Sequence, residues 1–315
     1  MFDLGSSYLA LGYECNHNCI CCPLTTYDRL HSRFSIEDIK ERIEFMAHSK
    51  RGHIVISGGE PMLHPNFFDV LDFINSRNFD VTVLSNASQC KEISFVKELC
   101  KHVVKEKFDV VTAIHSSHPN IHDAITGVSG SLLETLTALD NLQSVGIKIT
   151  IKHIFSQLSI DTLFDTFKYL EGHFPPRVNF QFCGMDYSGR AAKNISKLFL
   201  TLEEIRPELE KILDFLETKV SARRQISIIE APLCLTDPYY WKYFAGSSGE
   251  LDAYIAPNTD EDKIHNKVQS ECGAYYEPCE RCLVNKWCSG VWRTAYAYYG
   301  SDLLLPIIND VNEEE

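Results

Sequence analysis

Residues 15–22 read Cys15-Asn-His-Asn-Cys19-Ile-Cys21-Cys22 and hold three cysteines at the spacing C-x3-C-x2-C. Three thiolates can hold three irons of a [4Fe–4S] cube and leave the fourth iron open, whereas a cluster ligated only by protein takes four. The missing ligand implies that a small molecule completes the site. Downstream, Gly58-Gly59-Glu60-Pro61 follows an expected strand. Glycines lack Cβ, so the backbone can approach a ligand closely and take positive φ. Glu60 offers a carboxylate to an ammonium group through a charge-assisted hydrogen bond.

A second cysteine group lies near the C-terminus: Cys272, Cys279, Cys282 and Cys288, with Cys234 upstream in Ala-Pro-Leu-Cys. Thiolates in a C-x2-C pair with further cysteines nearby suit zinc and iron–sulfur clusters equally well. Cys90 and Cys100 fall in or beside an expected helix and read as packing residues. Cys183 ends an expected strand. A thiol there could donate a hydrogen atom to a substrate radical, or simply fill the core.

These residues need elements to position them. Runs rich in Val, Ile, Leu and Phe at 6–12, 53–57, 80–85, 109–114, 147–154 and 178–183 read as strands of a parallel sheet, buried on both faces. Helical segments lie between them. Ser35 with Asp38 forms a capping box ahead of Ile36, Ile39, Ile43 and Met46 at helical spacing. Residues 67–77, 91–102, 131–145 and 160–171 read as further helices, and another spans about 202–219 with Thr201 as N-cap. Parallel strands need such crossovers. Six of them suggest an incomplete (β/α)6 barrel in the α/β class. In such folds the site gathers at the C-terminal ends of the strands. The cysteine loop, the Gly58–Pro61 segment, Ser85-Asn86 and His115-Ser116 all follow strands in this way. Taken alone, Ser85-Asn86 reads equally as a turn, and His115 as a satisfied rim histidine or a catalytic acid. Residues 245–270 are polar with little periodicity and read as a loop or mobile insertion. Residues 312–315 read as a frayed tail.

The bulk properties narrow the function. The chain has 315 residues, enough for one large domain and a small one, and 44% hydrophobic residues, enough for a core. No apolar run reaches the ~18 residues of a membrane span, and no secretory signal opens the chain. A cytoplasmic protein is expected. Twelve cysteines then point to metal or redox chemistry rather than disulfides. A net charge of −13 disfavours nucleic acid as a partner and is compatible with a peptide or a small molecule.

The cysteine triad followed by Gly58-Gly59-Glu60-Pro61 resembles the radical S-adenosylmethionine (SAM) enzymes. The resemblance implies that Cys15, Cys19 and Cys22 ligate the cluster, and that Gly58, Gly59, Glu60 and Pro61 bind SAM. Ser85 and Asn86 are weaker expected SAM contacts. The reduced cluster would split SAM into methionine and a 5′-deoxyadenosyl radical that takes a hydrogen atom from the substrate. Where the family usually has an aromatic or bulky residue before the third cysteine, this chain has Cys21. It reads as a packing residue, the alternative being that Cys21 replaces Cys22.

The C-terminal C-x2-C-x5-C followed by Gly290 resembles the shortened SPASM/twitch-like auxiliary domain of radical SAM maturases of ribosomally made (RiPP) peptides. Gly184-Met-Asp-Tyr-Ser-Gly-Arg-Ala-Ala-Lys-Asn194 and Pro232-Leu-Cys234 add a resemblance to the maturases of the His-Xaa-Ser systems. This implies a second [4Fe–4S] cluster on Cys234, Cys279, Cys282 and Cys288, with Cys272 as alternative ligand to Cys234. The expected division is a partial barrel over 1–200, a connecting helix over 201–224 and an auxiliary-cluster domain over 225–315. The expected activity is hydrogen abstraction from a peptide, leading to a crosslink or an epimerisation. An external electron donor is implied. The chain starts close to its first strand, so a separate leader-peptide-binding protein is expected. Cys183 and His115 are the catalytic candidates. One alternative is radical chemistry on a small metabolite in cofactor biosynthesis; another is a non-catalytic zinc-binding interaction protein.

Overall fold

The computed structural model describes residues 6–25, 34–48, 52–218, 224–245, 251–255 and 276–308. Its strands and helices, in chain order, are β1 (Ser6–Ala10), α1 (Ile36–His48), β2 (His53–Ser57), α2 (Phe67–Ser76), β3 (Asp80–Leu84), α3 (Ile93–Leu99), β4 (Phe108–Ala113), α4 (Pro119–Thr126), α5 (Ser131–Ser144), β5 (Lys148–Ile154), α6 (Leu163–His173), β6 (Asn179–Cys183), α7 (Gly189–Lys193), α8 (Ile195–Leu198), α9 (Leu202–Thr218), β7 (Ile226–Ile229), β8 (Leu251–Ile255), α10 (Glu277–Glu280) and α11 (Arg293–Tyr299).

The strands form one sheet in the order β7-β6-β5-β4-β3-β2-β1-β8. Every pairing is parallel. From β1 to β7, neighbours in space are neighbours in sequence, which is the wall of a partial (β/α) barrel and not a doubly wound sheet. β2 and β3 are buried on both faces at their centres, at Ile54–Ile56 and Val81–Val83, whereas β4 and β5 alternate. In β5, Ile149, Ile151 and His153 are buried, while Thr150, Lys152 and Ile154 are half-buried. In β6, Phe180 and Phe182 meet Phe167 of α6 at centroid distances of 5.6 and 6.4 Å, so this set of side chains faces the helices. The other set, including Gln181 and Cys183, faces the concave side.

The helices begin where the sequence places them. Ser35 Oγ accepts the Asp38 N–H at 3.1 Å, and Asp38 Oδ2 accepts the Ser35 N–H at 3.4 Å. Ile39, Ile43 and Met46 then point into the core. Thr201 and Glu204 make the same reciprocal cap at α9. From α9, Leu209, Ile212, Leu213 and Leu216 are buried, and Phe215 packs edge-on against Phe164 and Phe167 of α6.

Three features depart from the expectation. The sheet has eight strands rather than six. β7 and β8 both fall after residue 225, so the stretch expected to be a separate domain contributes to the barrel wall. β8 also lies within 245–270, where a loop was expected, and it pairs with β1. Finally, α4 and the short helices α7, α8, α10 and α11 occupy stretches with no expected helix.

Candidate active site

The cysteine loop leaves β1 and is built against the loop after β2. Leu11 N–H donates to Ser57 O at 3.3 Å, Gly59 N–H to Gly12 O at 2.9 Å and Glu60 N–H to Glu14 O at 2.7 Å. This approach explains both glycines. A Cβ on Gly58 would lie 2.1 Å from Gly12 O, and one on Gly59 2.1 Å from Glu14 O and 2.4 Å from Tyr13 O. Gly58 also has φ +117°. The requirement for glycine therefore comes from the chain's own cysteine loop, before any ligand is considered.

Glu60 is buried, and its carboxylate accepts three hydrogen bonds. Ser85 Oγ donates at 2.7 Å, Asn86 N–H at 2.7 Å and Met62 N–H at 3.0 Å. Burial raises its pKa to about 7, against the pull of these donors. Glu60 thus ties the loop after β2 to the turn after β3. That turn reaches the cysteines: Asn86 Nδ2 donates to Asn16 Oδ1 at 2.8 Å and lies 3.9 Å from Cys15 Sγ, while Asn16 Nδ2 donates to Ser88 Oγ at 2.9 Å. Gly12, Glu14, Glu60, Pro61 and His64 line a small concavity beside this junction. The structure therefore brings the cysteine loop, Gly58–Pro61 and Ser85-Asn86 together.

Two further segments hold the cysteine loop. After β4, Asn18 N–H donates to Thr126 O at 2.9 Å and Ile20 N–H to Ile125 O at 2.8 Å. After β6, Arg190 N–H and Ala191 N–H both donate to Cys22 O, at 2.9 and 3.2 Å, and the Arg190 guanidinium bonds Asn18 O at 2.8 Å and Asn18 Oδ1. Gly189 has φ +54°, and a Cβ there would meet Pro23 O at 2.0 Å. The sequence showed no physical role for the 184–194 motif; its 188–194 half clamps the cysteine loop. Cys15, Cys19 and Cys22 are half-buried, whereas Cys21 is buried in the core and its thiol is pushed up to about 12, chiefly by burial. The Cys15 sulfur accepts the His17 N–H at 3.4 Å. Among the described residues no group of three or more His, Cys, Asp or Glu side chains could hold a single metal ion. The three half-buried thiols on one clamped loop are soft donors of the kind an iron–sulfur cluster takes.

Cys234, Cys279, Cys282 and Cys288 form a second gathering. Burial, then the neighbouring thiols Cys288, Cys279 and Cys282, push the Cys234 thiol up to about 12. Cys288 is likewise raised by burial and by Cys279 and Cys282. Its sulfur accepts the N–H groups of Leu233 at 3.2 Å and Gly290 at 3.3 Å. Such donors stabilise a charged sulfur. The Arg206 guanidinium fixes the segment by donating to Cys234 O at 2.5 Å and Leu235 O at 3.1 Å. Cys272 lies outside the described residues. A bridge joins this region to the clamp, since Thr294 Oγ1 donates to Asp186 Oδ1 at 3.0 Å and accepts the Tyr187 N–H at 3.0 Å.

His115 sits in a group of buried histidines, with His17 of the cysteine loop among its neighbours. Its N–H donates to His122 Nδ1 at 3.2 Å, and the two rings are 5.6 Å apart. Burial, then the neighbouring histidines, depress the His115 pKa, and burial brings His122 and His153 to about 4. All three are neutral near pH 7. Cys183 faces the concave side. Its thiol donates to Glu230 Oε2 at 2.9 Å, and Lys152 and Tyr8 are its electrostatic neighbours. Sequence reasoning missed Lys152 and Glu230. A lysine inside the apolar run Ile-Thr-Ile-Lys-His-Ile was the available signal.

Residues 9–170 match the family model of the Radical SAM superfamily, and the chain belongs to that superfamily. Membership implies a [4Fe–4S] cluster and SAM. Among curated relatives, the chain is 28% identical over 141 residues to the antilisterial bacteriocin subtilosin biosynthesis protein AlbA of Bacillus subtilis (strain 168), covering 45% of this chain and 31% of that protein. It is 23% identical over 202 residues to the Fe-coproporphyrin III synthase of Methanosarcina barkeri (strain Fusaro / DSM 804), covering 64% and 49%. The chain thus spans about a third to a half of the length of these relatives. Among solved structures, native anSMEcpe with bound AdoMet and Cp18Cys peptide superposes with a TM-score of 0.61 at 15% identity, covering 96% of this chain and 92% of that one, which shows the shared fold. No helix among the described residues is long and apolar enough to cross a membrane.

Proposed function

We propose that this chain is a radical SAM enzyme that modifies a ribosomally made peptide in the cytoplasm. Cys15, Cys19 and Cys22 hold the open-site cluster, and Gly58, Gly59, Glu60, Pro61, Ser85 and Asn86 form the SAM side of the rim. Bound there, the cluster and SAM supply reductive cleavage to a 5′-deoxyadenosyl radical. The chain's own residues do the positioning. Glu60 fixes the turn after β3, Asn86 orients the first cysteine, and the 189–191 segment closes the far side of the loop. The neutral histidines around His115 stiffen this rim without adding charge. The segment around Cys234 and residues 276–308 form the auxiliary lobe, with Cys234, Cys279, Cys282 and Cys288 as ligands of a second [4Fe–4S] cluster. An external one-electron donor and a separate leader-peptide-binding protein complete the system.

The observation that carries the reading is the convergence of four separate segments on the cysteine loop. The likeness to a bacteriocin biosynthesis protein favours a peptide substrate; the likeness to an Fe-coproporphyrin III synthase supports a second reading, a small metabolite. The test is iron, sulfide and zinc content with EPR on an anaerobically reconstituted Cys15/Cys19/Cys22→Ala variant. A reducible cluster that persists supports the auxiliary site; zinc or no metal overturns it. Stimulation of 5′-deoxyadenosine formation by short synthetic peptides, but not by porphyrins, separates the two substrate classes.

A further inference from the structure

The concave side of the sheet holds a polar group that the SAM rim does not use. Tyr8 lies on β1, Lys152 on β5, Cys183 at the end of β6 and Glu230 just beyond β7. β1 and β5 are four places apart in the sheet, so their side chains can influence one another only across the hollow of the barrel. They do so. Burial raises the Tyr8 phenol, and Lys152, Glu230 and Cys183 all act on it. Burial opposes the charge on Lys152, but Cys183, Glu230 and Tyr8 outweigh it and hold the ammonium above the usual lysine range. The Cys183 thiol lies between the two charges, donating to Glu230 at 2.9 Å and contacting Lys152.

Glu230 is held there at a cost. It has φ +54°, a left-handed conformation that a non-glycine residue takes only when its surroundings enforce it. The enforcement is visible: Gly184 packs so closely that a Cβ on it would lie 1.9 Å from Glu230 O. Strand β6 thus ends in a cysteine followed by the glycine that lets Glu230 turn its carboxylate towards that cysteine.

Building on the peptide-modifying reading, we propose that Cys183 is a hydrogen-atom donor to a carbon radical formed at the barrel mouth, with Lys152 as the proton source and Glu230 as the positioning residue. An S–H bond is weaker than an unactivated C–H bond and close in strength to a peptide Cα–H bond, so transfer to a Cα radical is nearly balanced and is drawn forward by reduction of the thiyl. The substrate carbon radical takes the hydrogen atom from Sγ, forming C–H and a thiyl radical. One electron from the external low-potential donor converts the thiyl to a thiolate, and the Lys152 ammonium returns the proton, which Lys152 regains from solvent. The substrate gains the hydrogen atom it lost, so the net change is an inversion at carbon and not a crosslink.

SAM is its own probe here. Reconstituted enzyme with SAM and sodium dithionite in D2O, without peptide, generates a carbon radical at the same mouth, and the thiol is then S–D. The expected 5′-deoxyadenosine carries one deuterium in the wild type, falling several-fold in Cys183→Ala and unchanged in Cys100→Ala. Deuterium that is absent from the wild type, or that persists in Cys183→Ala, overturns the proposal. Failure to form any 5′-deoxyadenosine would instead refute the functional reading beneath it. Independently of turnover, alkylation of Cys183 by iodoacetamide, mapped by mass spectrometry, should move to lower pH in Glu230→Gln and to higher pH in Lys152→Met. Profiles that coincide with the wild type would show that neither charge faces the thiol.

Discussion

Glu60→Gln should alter the pH dependence of stability in a direction set by burial. In the folded chain the Glu60 pKa is about 7, against an ordinary 4.5. At about 1.4 kcal/mol per pKa unit, that rise corresponds to about 3 kcal/mol. The folded pKa is the higher one, so between these values the native state binds the extra proton. The resulting contribution is fully present below pH 4.5 and lost as pH rises through 7. The substituted amide cannot titrate and does not lose it. The variant carries its own penalty, because an amide NH2 must replace an oxygen that now accepts from Met62, Ser85 or Asn86. An unmatched buried donor costs about 1–3 kcal/mol. Urea unfolding of the cluster-free wild type and variant at a series of pH values reads the difference directly, with other carboxylates cancelling. The wild type's advantage should shrink by about 3 kcal/mol from about pH 4.5 to beyond about pH 7. A gap that stays constant or widens with pH would refute the reasoning. A linked outcome follows for SAM, whose ammonium should expel the Glu60 proton. At about pH 6, between the two pKa values, calorimetry in two buffers of different ionisation heat should register proton release on SAM binding for the wild type and none for Glu60→Gln.

Gly59→Ala should abolish SAM binding and lower the melting temperature, because its Cβ would sit 2.1 Å from Glu14 O; Gly130→Ala, with φ +81° but open space around it, should cost only ~1 kcal/mol and leave SAM affinity intact. Arg190→Ala removes the guanidinium contacts to Asn18 and should speed iron loss to a chelator several-fold, with about 1–2 kcal/mol of destabilisation in denaturant. Iron content should fall in Cys22→Ala but not in Cys21→Ala, since Cys21 is buried in the core; equal loss from both would reverse that assignment. Thr201→Ala should cost about 1 kcal/mol of stability through the lost cap of α9, measured by thermal melting, with no change in metal content.

The sequence was legible where a local rule decides the outcome. The runs at 53–57 and 80–85 became β2 and β3 because Val and Ile dominate them, and the Ser35–Asp38 and Thr201–Glu204 boxes started α1 and α9. β7 and β8 were not legible. Ile226–Ile229 is too short to show alternation, and Leu251–Ile255 is stabilised by its parallel neighbour β1, in a polar stretch whose composition gives no hint of a strand. α4 escaped because Pro119 reads as a breaker, although at the first helical turn it is well placed. The site divides in the same way. Cys15, Cys19, Cys22 and Gly58–Pro61 declare themselves by spacing. The physical reason for the glycines did not, because it is a contact with Gly12, Tyr13 and Glu14 and not with a ligand. The Tyr8–Lys152–Cys183–Glu230 group depends on the curvature of the sheet across five strands and more, which no window of sequence contains.

The clamp on the cysteine loop carries a consequence for how the protein is made. Arg190 and Asn18 are 172 positions apart, so during synthesis the loop is exposed long before its clamp is translated. Segments this distant close late in folding, after the intervening strands have paired. Iron delivered to the nascent chain meets an open loop, while iron delivered after release must enter a closed one. A loop without its clamp should therefore exchange iron with a chelator faster than a clamped one, whether the clamp is not yet made or is removed.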